Sequence, residues 1–99
     1  MTIAYYSVMP NTSREQAQRV SDYVNQQVGT EAPAGGVYHA EGPLDDGSWW
    51  SFDVWDSEET AKQFYAAILS PALQQANVQL GQQRTLAVHW QTNPPQGEH

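Results

Sequence analysis

The chain has 99 residues, no cysteine and a formal net charge of -7, from 11 acidic and 4 basic side chains. A single domain is expected, small enough that burying surface against a second copy would help it. Disulfides, thiolate metal sites and cysteine nucleophiles are excluded, and a cysteine-free chain suits a reducing, cytoplasmic setting. The four cations, Arg14, Arg19, Lys62 and Arg84, form no basic tract, so nucleic acid and anionic membranes are not expected partners. Met1 to Tyr5 reads as neither a signal peptide nor a membrane span.

Ile3 to Val8, rich in β-branched and aromatic residues, predicts a first strand that ends at Met9-Pro10-Asn11. Thr12 stands three residues before Glu15, the spacing of a capping box. Ala17, Val20, Tyr23, Val24 and Val28 then recur at helical spacing up to a stop at Gly29, and a loop follows from Thr30 to Gly35. Two alternating runs, Val37 to Glu41 and Trp49 to Trp55, flank Pro43-Leu44-Asp45-Asp46-Gly47, where Pro and Asp-Gly favour a reversal with positive φ. These make a β-hairpin. A second helix starts at Asp56 or Ser57, with Glu58 and Glu59 in its first turn and Ala61, Phe64, Tyr65, Ile68 and Leu69 on its apolar face. Pro71 must bend or restart it, giving a segment to Ala76 that buries Leu73, and such a break beside a sheet can form the mouth of a cavity. Gln79 to Gln83 is a linker and Arg84 to Gln91 the last strand; residues 1–92 form the domain and 93–99 a frayed tail.

The order β-α-β-β-α-β predicts an α+β, ferredoxin-like fold, a four-stranded antiparallel sheet with both helices on one face. Strand parity puts Trp50, Phe52 and Val54 on one face of the third strand and Trp49, Ser51, Asp53 and Trp55 on the other. Both faces are aromatic, so both need cover: helices on one, a second subunit in a homodimer on the other. Trp50 and Trp90 are expected in the core.

The run Val37-Tyr-His-Ala-Glu-Gly-Pro, then Gly47-Ser-Trp, Phe52-Asp-Val-Trp-Asp-Ser-Glu-Glu, Phe64 and Leu69-Ser-Pro-Ala-Leu73 resembles the dimeric α/β-barrel superfamily, which includes the antibiotic-biosynthesis monooxygenase-like domains. The resemblance covers nearly the whole chain in element order, and the hairpin and second helix in residues. It implies two sheets meeting face to face across a dimer and a ligand cavity between each sheet and its helices. It also implies activities ranging from cofactor-free oxygenation to cyclisation and isomerisation.

On the hairpin His39 falls opposite Ser51 or, one small shift away, Asp53. A carboxylate there would fix the imidazole tautomer and raise its basicity, making His39 and Asp53 the candidate catalytic pair. Trp49, Trp55, Tyr5 and His89 are the candidate walls for a planar aromatic ligand. A satisfied sheet histidine is the competing reading. A metal held by His39, His89, Asp53 and Glu41 has no supporting local spacing, no serine sits in a nucleophile turn, and neither helix offers an axial histidine for haem. No cofactor or metal is expected. The readings carried forward are a cofactor-independent, monooxygenase-like enzyme acting on a planar aromatic or polyketide-like molecule; a non-oxidative isomerase, cyclase or lyase using the same pocket; and a non-catalytic binding or structural dimer.

Overall fold

The computed structural model of the protein describes residues 1–29 and 33–89. Strands β1 (Ile3–Met9), β2 (Gly36–Pro43), β3 (Trp49–Trp55) and β4 (Gln82–Ala87) form one antiparallel sheet in the order β2-β3-β1-β4. Helix α1 (Arg14–Val28) joins β1 to β2. A second helical arm joins β3 to β4: α2 (Glu58–Phe64), a π turn (Tyr65–Leu69) and α3 (Ser70–Gln75). The expected ferredoxin-like topology is present, with β1 beside β3 as right-handed crossovers require. Among the described residues no helix is long and apolar enough to cross a membrane.

Several local expectations are corrected. The cap of α1 is Ser13 rather than Thr12: its hydroxyl accepts from the Gln16 amide (3.1 Å) and the Gln16 side chain accepts from the Ser13 amide (3.0 Å). Asn11 adopts a left-handed φ of 50°, and the Thr12 hydroxyl donates back to the Pro10 carbonyl, which delays the helix by one residue. In the hairpin loop only Gly47 takes positive φ (88°); Asp46 instead accepts the Ser48 amide through its side chain (3.0 Å).

At Pro71 a new α-helical segment, α3, begins after the π turn, with Pro71 in its first turn. The missing amide is absorbed one turn earlier, where the Ser70 amide donates to Tyr65 five residues back, and the chain stays right-handed helical throughout. Ala72 is the fully buried residue of α3; Leu73 is half-buried. β4 begins two residues before the expected Arg84 and ends at Ala87, while Trp90 and the tail lie outside the described residues.

Parity then sorts the sheet. The face under the helices holds two separate apolar clusters. At the hairpin end Met9, Ala17, Trp49, Ala76 and Val78 pack with Val20 and Leu73. At the other end Ile3, Tyr5, Trp55 and Ala61 pack with Phe64 and Tyr65. The opposite face is bare, and Trp50, expected in the core, lies there half-buried with its indole across Gly42 of the neighbouring strand. A Cβ at Gly42 would meet the indole at 3.1 Å, which explains the glycine.

Candidate functional site

Between the two clusters the covered face changes character. Its mid-strand positions are Ser7 on β1, Ser51 and Asp53 on β3, and His39 and Glu41 on β2. Small or polar side chains there cannot fill the space beneath the helices. A cavity of about 380 Å³ results, walled by these residues, by Val20 and Val24 of α1, by Phe64, Tyr65 and Leu69 of the arm, and by Trp49 and Trp55 at its ends. Six residue steps of extended strand separate the two tryptophans, about 20 Å of backbone.

The polar wall is internally bonded. His39 pairs in register with Asp53, as the shifted hairpin alignment expects, but its hydrogen bond goes to Glu41, with Nε2 at 2.8 Å from Oε2. A carboxylate only accepts, so Nε2 carries the proton and Nδ1 is the nitrogen left for other work. Glu41 also accepts from the Trp49 indole (3.3 Å). Asp53 is buried and accepts from the Trp55 indole and from the Tyr65 hydroxyl, at 3.0 and 3.2 Å to its two oxygens. The expectation that Asp53 fixes the imidazole tautomer is thereby corrected: Glu41, two residues along the same strand face, takes that place, while Asp53 is held by Trp55 and Tyr65.

The ionisations follow from these contacts. Glu41, by hydrogen bonding, raises the His39 pKa above its usual 6.5, and burial opposes the rise only in part. Burial raises the Asp53 carboxyl, against the opposing effect of the Trp55 and Tyr65 donors and of His39. The Tyr65 phenol is pushed far above its usual value by burial and by the charge of Asp53, so it stays a donor.

The other expected residues divide. Trp49 and Trp55 line the cavity. Tyr5 is buried behind it, its ring 5.2 Å from that of Tyr65, and faces a second, more open groove beside β4 instead. His89 is exposed beyond the end of β4 and lines neither space, so it is not brought to His39. Among the described residues no three His, Asp or Glu side chains converge as a metal site requires. Sequence reasoning missed Tyr65 as a polar group: its helical spacing marks an apolar position, and nothing local shows that its hydroxyl reaches Asp53.

No protein family profile matches the chain, and no curated protein sequence does either. Solved structures do. A candidate antibiotic biosynthesis monooxygenase from Chloroflexus aurantiacus superposes with a TM-score of 0.65 at 15% identity, covering 95% of this chain and 100% of its own. One from Deinococcus radiodurans gives 0.59 at 15%, covering 96% and 99%. SnoaB of Streptomyces nogalater, a cofactor-independent oxygenase, gives 0.59 at 13%, covering 92% and 94%. The chain has the fold of these monooxygenase-like proteins.

Proposed function

We propose that this protein is a cofactor-independent enzyme that binds a planar aromatic or polyketide-like molecule in the cavity and deprotonates it with His39, working as a cytoplasmic homodimer joined through the bare sheet face. The observation that carries the proposal is one wall of the cavity, where His39, Glu41, Asp53 and Tyr65 are collected between two indoles. The fold shared with a cofactor-independent oxygenase supports the oxidative form.

The chemistry needs little more. Glu41 holds the Nε2 proton, so neutral His39 presents Nδ1 to an acidic phenol or activated methylene. The resulting carbanion reduces O2. One CH2 becomes C=O, and two hydrogens leave with one oxygen atom as water. Asp53, held by Tyr65 and Trp55, faces the imidazole and favours its protonated form. Dimerisation is supported by the bare face, where Trp50, Phe52 and Val54 are joined by Tyr38, 54% exposed and edge-on to Phe52.

Oxygen uptake with an anthrone substrate and no added cofactor tests the activity. His39→Ala should lower kcat by roughly a hundredfold with an unchanged melting curve. Full activity in that variant removes His39 from the mechanism. Unfolding or loss of the dimer shows a structural histidine instead, and turnover without oxygen uptake selects the non-oxidative acid-base reaction.

A further inference from the structure

The donors and acceptors of the cavity wall are unequally spent. The Trp49 and His39 ring N–H groups donate to Glu41; the Trp55 N–H and the Tyr65 O–H donate to Asp53. Each carboxylate oxygen has two acceptor positions, so Glu41 and Asp53 retain acceptor capacity after these bonds. The four aromatic donors retain none. Both carboxylates therefore keep acceptor capacity toward the cavity, beside the hydroxyls of Ser7 and Ser51.

Charge points the same way. The charged or chargeable acid-base groups lining the cavity are Glu41, Asp53 and His39; no Lys or Arg is among the lining residues. The guanidinium of Arg14 lies over the Trp49 ring, 5.6 Å from its centroid, and is not part of the lining. An incoming carboxylate would find His39 held at Nε2 by Glu41 at 2.8 Å, with only Nδ1 open to it. It would also lie beside two like charges, one of them, Asp53, buried. A protonated nitrogen would meet unspent carboxylate lone pairs instead.

We infer that the cavity selects planar aromatics bearing a protonated nitrogen over the same ring size bearing a carboxylate. The inference rests on the proposal that the cavity binds a planar aromatic, and it names the class of ligand within that reading.

Three probes of similar tricyclic shape test it: aminoacridine as the cation, anthracenemethanol as the neutral form and anthracene carboxylate as the anion. Their affinities are read by tryptophan fluorescence quenching and calorimetry at near-physiological salt. The cation should bind tighter than the anion by about tenfold or more, with the alcohol between them. Asp53→Asn and Glu41→Gln should each narrow that ratio. Glu59→Gln, which removes the same charge from the exposed side of α2, should not. Because Glu41 is exposed, its variant keeps the test valid if Asp53→Asn fails to fold.

Equal affinities, or a preference for the carboxylate, overturn the selectivity and leave the aromatic reading standing. An equal effect of Glu59→Gln overturns it as well, because the preference then belongs to the net charge of the whole chain. Binding of none of the three probes up to their solubility limits removes the aromatic reading and this inference with it.

Discussion

The two faces of this sheet are built from the same four strands and carry opposite patterns. Under the helices the strands are apolar at their ends and polar in the middle: Ile3, Tyr5, Trp55 and Met9, Trp49 bracket Ser7, Ser51, Asp53, His39 and Glu41. On the bare side β3 is apolar along its length, with Trp50, Phe52 and Val54 flanked by Tyr6, Val8, Tyr38 and Ala40. A monomer with one covered face would show the reverse, since the core side gains from apolar filling and the water side from polar groups. The covered face has thus given up core packing for a cavity, and the bare face keeps an apolar strip where a water-facing strand would carry polar groups.

The largest effect should come from removing an anchor of the covered face. Trp55 is 3% exposed, packs against Phe64 with tilted rings and centroids 5.1 Å apart, and holds Asp53 through its indole N–H. Trp55→Ala should cost about 3–5 kcal/mol in chemical denaturation. A loss under 1 kcal/mol would mean that this end of the sheet is not a core. A charge on the other face asks the complementary question. Phe52→Asp should convert a dimer to a monomer in sedimentation, weakening association by about 2 kcal/mol or more. A wild-type chain that already sediments as a monomer at micromolar concentration ends the dimer proposal.

The smallest effect is the pH dependence of the cavity itself. The Asp53 carboxyl is raised above 3.8 in the fold, so the folded state holds a proton that the unfolded chain releases earlier. Its contribution to stability is fully present below the unfolded value and is lost as pH rises through the folded one. The stability difference between wild type and Asp53→Asn should therefore shift toward the variant as pH climbs from acid toward neutrality. A difference that does not change with pH would show Asp53 to be as well solvated in the fold as in the unfolded chain.

How much of this was legible in advance differs by residue. That His39 shares a face with Ser51 and Asp53 follows from parity, because a strand has period two, while the register that pairs it with Asp53 rather than Ser51 was left open by the hairpin loop. The stop at Gly29 and the Ser57 cap follow from local backbone chemistry in the same way. The partner of His39 did not follow, because Glu41 and Asp53 are both within reach and the choice depends on which is already held from elsewhere.

The sequence by itself determined the element order, the sheet topology and the sorting of side chains into two faces, since periodicity and crossover handedness are local properties of a chiral chain. Tertiary structure alone decided the rest. It turned the irregularity required by Pro71 into a π turn one step earlier, and that turn carries Tyr65, 12 residues along the chain from Asp53, to within 3.0 Å of its carboxylate. Such a contact depends on how one packed layer seats on another, which no pattern of neighbours along the chain encodes.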